Sequence, residues 1–190
     1  MKKIRCILCA IVFLSLLPVT SNAQVQFGIK LGRVYLTNVK EFNYSSGYSA
    51  EIFLDYPLNS SLSLGIESGY MTKGALAINT FSEKLNHINY VVLSFPVKYI
   101  LISPKNTEVY AIAKVGYDFV LTDNVVRFDS DIVSFNSNYF WSVGTGLRYV
   151  KSNPSFLFEI SYSRDFGEFI KYKTVNSWID FKIGLLFDGL

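Results

Sequence analysis

The sequence predicts an all-β protein, an eight-stranded antiparallel up-and-down transmembrane β-barrel. Three observations indicate this fold class: apolar and polar residues alternate with a period of two in eight segments, the joins between segments alternate in length, and glycines and charges share one parity. Each segment has 10 to 14 residues, whereas a tilted strand needs roughly 9 to 11 to cross a bilayer. The eight segments are 25–35, 47–56, 61–72, 88–101, 109–120, 138–150, 155–164 and 177–187.

The first 23 residues have the organisation of a cleaved export signal. Three basic residues precede an apolar run over 6–17, and the small-residue pattern Ser21-Asn22-Ala23 follows. We expect export through the Sec route, cleavage after Ala23 and one barrel domain over 24–190. Both cysteines lie in the signal, so the mature domain has no thiol. Loss of the three basic residues also leaves equal numbers of acidic and basic residues, which gives no indication of a nucleic-acid partner.

The joins between segments alternate between short and long. Four long joins and three short ones place both chain termini on the side of the short turns. Outer-membrane barrels show this asymmetry, with tight turns in the periplasm and longer loops outside. The short turns are 57–60, 103–106 and 151–154, and the long joins are 36–46, 73–87, 121–137 and 165–176.

One parity of every segment is apolar and is predicted to face lipid. The first segment places Val25, Phe27 and Ile29 on this face. Only Arg33 and Arg164 carry charge on it, both near the long loops, where a charge in a barrel wall costs about 0 to 1 kcal/mol. Aromatic residues gather towards the two ends of the segments, as two interfacial girdles require. We therefore expect the outer membrane and its lipid to surround this wall.

The opposite parity carries the charges and nine of the twelve glycines. The interior of an eight-stranded barrel is only wide enough for side chains, so small residues must alternate there with long ones that pair across the lumen. Buried charges must be paired, because a lone one costs several kcal/mol. The sequence predicts an ion-pair network that plugs the lumen, formed by Lys30, Glu51, Asp55, Glu67, Lys98, Lys114, Asp118, Arg148, Glu159, Asp180 and Lys182.

The last segment has the pattern of a terminal strand that the barrel-assembly machinery recognises during insertion. Its apolar parity ends in Ile183, Leu185 and Phe187, with an aromatic residue in the final outward position. These three residues are the predicted assembly signal.

Several short motifs give the chain a family resemblance over nearly all of its mature length. The motifs are Phe53-Leu54-Asp55-Tyr56-Pro57-Leu58, Ser94-Phe95-Pro96-Val97-Lys98-Tyr99, Val115-Gly116-Tyr117 and Gly144-Thr145-Gly146-Leu147. On these motifs the chain resembles the outer-membrane β-barrel domain family that includes PorT-like proteins, small barrels that are often labelled porin-like. The resemblance implies a membrane barrel without catalytic residues, and it includes a mid-strand proline, Pro96, where we expect a local bulge.

The sequence gives little support for catalysis or metal binding. His87 is the only histidine, and no nucleophile motif flanks it, although some small membrane barrels modify lipids. Asp123, Asp129 and Asp131 share one loop, but their spacing does not match a calcium loop. We expect a protein that is not an enzyme and has no catalytic residue, no cofactor and no metal site.

Two other barrel functions are weighed against a structural or recognition role. A narrow pore is disfavoured because side chains would fill the lumen and leave at most trace conductance. A soluble, secreted, lipocalin-like barrel would bind one small ligand, and it would need the reverse arrangement, with apolar residues inside and charges outside.

The third long loop is unusually apolar. We hypothesise that it forms a hairpin above the membrane and contacts an extracellular or periplasmic protein partner by adding a strand. Shielding of the barrel mouth is the alternative, and the sequence favours neither. The residues in question are Val125, Phe128, Ile132 and Phe135.

Overall fold

The chain folds into a closed antiparallel barrel of eight strands, which confirms the fold class predicted from the alternating segments. The predicted signal at 1–23 lies outside the described residues. The computed structural model describes residues 24–37, 42–77, 86–121, 126–128, 131–133, 137–151, 153–166 and 177–188.

Each barrel strand pairs with its neighbours in the chain, and the first strand closes on the last. The strands are β1 (Gln26–Leu36), β2 (Phe42–Pro57), β3 (Leu62–Ala77), β4 (Asn86–Ile102), β5 (Thr107–Val120), β6 (Val126–Phe128), β7 (Asp131–Val133), β8 (Asn138–Tyr149), β9 (Ser155–Asp165) and β10 (Ser177–Phe187). The order around the barrel is β1-β10-β9-β8-β5-β4-β3-β2.

Strands β2, β3 and β4 are 16, 16 and 17 residues long, longer than their alternating segments. The extra residues are mostly at the long-loop end, where Phe42 pairs with Ala77 and Ala75 pairs with Asn86. Backbone hydrogen bonds do not need an apolar face, so pairing can continue after the alternation stops. The long joins at 36–46 and 73–87 are therefore shorter than the sequence predicts.

The register is staggered around the barrel. Following paired residues once around from Gln26 through β2 and on to β10 leads to Leu36, higher on the same strand. Such a stagger tilts the strands against the barrel axis, as closure of a sheet requires. The paired residues therefore rise towards the long loops in the direction from β9 through β10 to β1.

The two faces of the wall differ as the alternation predicts. On the outside, Ile52 and Ile183 are 65 % and 64 % exposed, while on the inside Lys30 and Glu159 are each 1 % exposed. The apolar parity therefore faces out and the polar parity faces in, which is the reverse of a lipocalin-like arrangement.

The expected bulge at Pro96 is wrong. Pro96 stays in register with Lys114, and pairing of β3 with β4 continues unshifted on both sides of it. The proline ring is buried against Gly65, where an added Cβ would lie 3.0 Å from Pro96 Cγ. The glycine thus makes room for the ring, and only the two pairs at residues 65 and 66 are missing from the β3–β4 ladder.

The register shifts instead between Ser45 and Ser49 of β2 and between Ile100 and Ile102 of β4. In the third long loop, β6 and β7 pair with each other as a two-stranded sheet of their own. No helix among the described residues is long and apolar enough to cross a membrane.

Candidate functional site in the barrel lumen

A layer of ion pairs fills the middle of the lumen, with Lys30 at its centre. Lys30 Nζ donates hydrogen bonds to Glu67 and, at 2.9 Å, to Glu159 Oε2. A third carboxylate, that of Glu51, lies 4.0 Å from the same nitrogen. Removal of a charge from water costs several kcal/mol, and these close carboxylates offset that cost for Lys30.

Two further lysines join this central layer. Lys114 Nζ donates to Glu67 Oε2 at 2.7 Å and lies 3.6 Å from Glu159 Oε2. Lys98 Nζ donates to Asp55 Oδ2 at 2.6 Å and lies 3.7 Å from Glu159 Oε1. Glu159 of β9 is thus shared by lysines from β1, β4 and β5, so the layer connects strands that are not neighbours.

Lys182 extends the layer towards the long loops. Its Nζ donates to Glu51 Oε1 at 2.7 Å and lies 3.7 Å from Asp180 Oδ2, which also accepts a hydrogen bond from Trp178 Nε1 at 3.0 Å. Ser142 Oγ and Asp180 Oδ1 have no hydrogen-bond partner among the described residues. They line a cavity of about 10 Å³, which is room for roughly one water molecule.

Glycines on the inner face make room for aromatic rings from neighbouring strands. A Cβ added at Gly28 would lie 2.4 Å from Phe53 Cζ, and one added at Gly116 would lie 2.5 Å from Phe140 Cζ. Both rings are buried inside the barrel. The sequence predicts only charges and small residues for the interior, so these inward aromatic residues are a finding of the structure.

An apolar cluster lies above the ion layer and is called here the long-loop cluster. Lys73 Nζ is enclosed by it, 3.7 Å from the ring centroid of Trp178 and 4.5 Å from that of Tyr90, and donates to Asp118 Oδ2 at 2.8 Å. A cation over an aromatic face is attracted by the ring quadrupole, most strongly where water is excluded. The cluster consists of Val34, Leu36, Met71, Tyr90, Val92, Phe140 and Trp178.

The opposite end of the lumen is more open. Arg148 Nε donates to Glu108 Oε2 at 2.6 Å, and its Nη1 donates to Gln26 Oε1 at 2.9 Å. The side chains of Arg148 and Glu108 remain 18 % and 17 % exposed. They line a cavity of about 200 Å³ that also contacts Asp55 and Lys98 and is called here the short-turn cavity.

The structure places all eleven residues of the predicted lumen network inside the barrel. Ten of them are buried, and Arg148 is half-buried. Three further inward charges, Lys73, Glu108 and Asp165, lie just outside the eight alternating segments and are not among the predicted residues. All three continue the inward parity of their strands, so extending the alternation by one or two residues at each end could have found them.

The predicted assembly signal lies on the outer wall of β10. Ile183 is exposed, and the ring of Phe187 stacks on that of Phe27 with the centroids 5.0 Å apart. In the predicted partner loop, Phe128 lies in β6 and Ile132 in β7, while Val125 and Phe135 lie outside the described residues.

The residues considered for catalysis and metal binding are not among those of the lumen network. His87 lies in β4 opposite Gly74. Within the part of the chain that the structure describes, no group of three or more histidine, cysteine, aspartate or glutamate side chains is placed to hold a metal ion.

No protein-family model matches the sequence, and a comparison with curated proteins finds no match. Several solved structures have a similar barrel fold. Neisserial surface protein A has 13 % identity and a TM-score of 0.62 over 86 % of this chain and 96 % of its own. Ail, the attachment invasion locus protein of Yersinia pestis, has 11 % identity and a TM-score of 0.52 over 87 % and 99 %.

The N-terminal β-barrel domain of Pseudomonas aeruginosa OprF has 15 % identity and a TM-score of 0.51 over 87 % of this chain and 100 % of its own. At such low identities the likeness concerns the fold. The chain therefore has the fold of the small eight-stranded outer-membrane β-barrels.

Proposed function

We propose that this protein is an integral outer-membrane barrel with a side-chain-plugged lumen and a structural or recognition role, rather than an enzyme or a pore. One observation carries the proposal: the wall is apolar outside and its interior is filled by paired charges. Lipid is the solvent that suits the outer face, because exposed large apolar side chains surround the whole barrel. A soluble lipocalin-like barrel would need those side chains inside.

Three layers along the barrel axis support the proposal of a plugged lumen. Lys30, Lys98 and Lys114 bridge carboxylates across the middle, and Trp178 and Tyr90 lie above them with less than a few per cent exposure. An ion entering from the short-turn cavity would have to displace paired charges and then pass an apolar layer. We therefore expect at most trace conductance from the purified protein in planar bilayers, and large stable channels would refute the plug.

Placement in the membrane has a separate test. The mature chain should fractionate with outer membranes and run as a heat-shifted band in detergent gels, since closed barrels resist unfolding in cold detergent.

Replacing Phe187 with Asp should lower insertion, because it removes the final outward aromatic residue of β10. Lys151→Asp, in a turn on the same side, is the control. Equal insertion of both variants would reject the role of Phe187.

Recognition by the third long loop is the finer part of the proposal. The β6–β7 hairpin offers backbone edges that a partner strand could pair with. Deletion of residues 124 to 135 should abolish binding to a partner isolated with the intact protein, while the heat-shifted barrel band persists. Retained binding would favour a loop that shields the barrel mouth.

Membership among PorT-like barrels is also proposed, supported by Pro96 and Gly116 lying in neighbouring β4 and β5.

A further inference from the structure

The outer wall of the barrel carries charge at two described positions along its strands, and both are arginines. Arg33 on β1 and Arg164 on β9 are exposed, and both lie towards the long-loop end. No acidic side chain among the described strand residues shares that outer surface. A cation on a lipid-facing wall is unfavourable unless it reaches the interface and finds an anion there.

Arg33 lies against aromatic and polar neighbours near the long-loop rim. Its guanidinium carbon is 5.2 Å from the ring centroid of Tyr48, and its Nη1 donates to Ser46 Oγ at 3.0 Å. Tyr48 is the paired residue on β2, while Ser46 lies two residues nearer the loop end. The side chain therefore leans towards the rim, where headgroups would be.

Arg164 has a similar setting on the other side of β10. It pairs with Trp141 of β8 and with Ser177 of β10. The indole of Trp141 lies against the ring of Tyr162 at 5.8 Å between centroids, and both face outwards. Tryptophan and tyrosine are the residues that mark the bilayer interface, so Arg164 projects at headgroup level.

The two arginines lie at nearly the same height. Arg33 pairs with Phe181 of β10, four positions along that strand from the Ser177 that pairs with Arg164. Because the register rises from β9 to β1, most of that offset is cancelled along the barrel axis. Strand spacing and residue rise place the two Cα atoms about 15 Å apart along the wall, a separation that suits neighbouring headgroups rather than one small ion.

We propose that Arg33 and Arg164 each bind the phosphate of an anionic lipid headgroup in the leaflet at the long-loop end. Guanidinium presents a planar fork of donors that matches a phosphate, which explains arginine rather than lysine at both positions. The inference rests on the proposed membrane placement and adds a lipid selectivity to it. A basic residue near an anionic lipid surface contributes about 1 kcal/mol, which corresponds to a local enrichment of about three- to fivefold.

The two tryptophans of the chain allow this enrichment to be measured. In a Trp178→Phe background, Trp141 beside Arg164 is the only tryptophan, and its fluorescence is excited selectively over that of the tyrosines. The protein is reconstituted in phosphatidylcholine bilayers containing phosphatidylglycerol, with bromine on the acyl chains of one lipid or the other. Quenching of Trp141 then reports which lipid is in contact with it. A second reporter, Tyr48→Trp with both native tryptophans replaced by Phe, reads the surroundings of Arg33.

Brominated phosphatidylglycerol should be enriched about three- to fivefold over brominated phosphatidylcholine at both reporters. Arg164→Gln should abolish the enrichment at Trp141 and leave it at the Tyr48→Trp reporter, while Arg33→Gln should do the reverse. Lys105→Gln, in a turn on the other side of the membrane, is the matched control and should change neither.

Equal quenching by the two lipids in the reporter proteins that keep both arginines would overturn the inference, and so would enrichment that survives both glutamine variants. Either result would leave the membrane placement intact. Loss of the enrichment on addition of inorganic phosphate at constant ionic strength would also overturn it, because the arginines would then be binding free phosphate. Absence of quenching by either lipid would instead overturn the membrane placement itself.

Discussion

At the long-loop end of the lumen, Lys73 is buried between Trp178 and Tyr90 and donates to Asp118, whereas at the short-turn end Arg148 and Glu108 pair at the edge of a cavity of about 200 Å³. The first pair is sealed from water, and the second is in partial contact with it. The same type of interaction should therefore make very different contributions to stability at the two ends.

The two ends of the lumen thus differ in how far water can reach the paired charges. An apolar layer excludes water at the long-loop end, while polar and charged side chains line an accessible space at the other. Between the two ends, the central ion layer is shielded from water as the long-loop end is, because Lys30 and Glu159 are each 1 % exposed. Changes at the two ends can test this asymmetry.

Removal of the two basic residues should give the largest contrast. Lys73→Met leaves the Asp118 carboxylate buried without its ammonium, and breaking a buried pair in this way costs about 3 to 5 kcal/mol. Arg148→Met breaks a pair that borders the water-accessible short-turn cavity, so we expect a loss closer to the value of about 1 kcal/mol or less that is typical of pairs in contact with water. Urea unfolding of the barrels in detergent micelles, followed by tryptophan fluorescence, measures both free energies of unfolding.

The double variant Lys73→Met with Asp118→Asn provides the control for the first prediction. Neutralising Asp118 removes the unpaired charge while its side chain can still accept from the Asn138 amide, now at 2.7 Å. The double variant should be more stable than Lys73→Met alone. Equal losses for Lys73→Met and Arg148→Met would contradict the difference in sealing.

A second contrast concerns conductance. Trp178→Ala removes the largest side chain of the long-loop cluster and should raise conductance above the trace level that we propose for the parent barrel, because water can then reach the ion layer from both ends. Leu157→Ala, which widens the short-turn cavity, should leave conductance unchanged. Single-channel recording in planar bilayers, with heat-shifted band intensity as the check on folding, measures both. A larger current from Leu157→Ala than from Trp178→Ala would mean that the barrier to ions lies at the short-turn end, which contradicts the expected asymmetry.

The smallest difference between the two ends is expected on the outer wall, where both ends have a pair of aromatic rings. Phe187 stacks on Phe27 at 5.0 Å near the short turns, and Tyr35 meets Phe181 edge-on at 5.8 Å near the long loops. Phe187→Leu and Phe181→Leu should each lose about 0.5 to 1.5 kcal/mol of aromatic pairing. Similar free energies of unfolding are expected, and a several-fold difference would mean that the asymmetry is not confined to the lumen.

The sequence predicted the strands and the side of the wall on which each residue lies, because both depend on the period of two. It could not predict which charges meet. Lys30 and Glu159 are 129 positions apart in the chain, and their contact depends on the stagger of the register around the whole barrel. Lys73 and Asp165 escape prediction because each lies one residue beyond the end of an alternating segment, where the apolar residues become sparse.

The inward aromatic residues were missed for another reason. Phe53 and Phe140 lie on the polar parity, where the sequence alone gives no sign that Gly28 and Gly116 on neighbouring strands leave space for them. The bulge expected at Pro96 is absent for a similar reason, because the proline ring fits over Gly65 on the neighbouring strand. In each case a cross-strand pair, rather than a residue, sets the packing, and such pairs appear only when the register is known.

Closure of β1 on β10 has a consequence for the order of assembly. Glu159 on β9 and Lys182 on β10 come near the end of synthesis, yet they supply partners to Lys30 on the first strand and Glu51 on the second. Until β1 pairs with β10, Lys30 has Glu67 of β3 but not Glu159, and Glu51 lacks its hydrogen bond from Lys182. Insertion should consequently be a concerted event, in which hairpins that enter the bilayer one at a time would carry uncompensated charge into it.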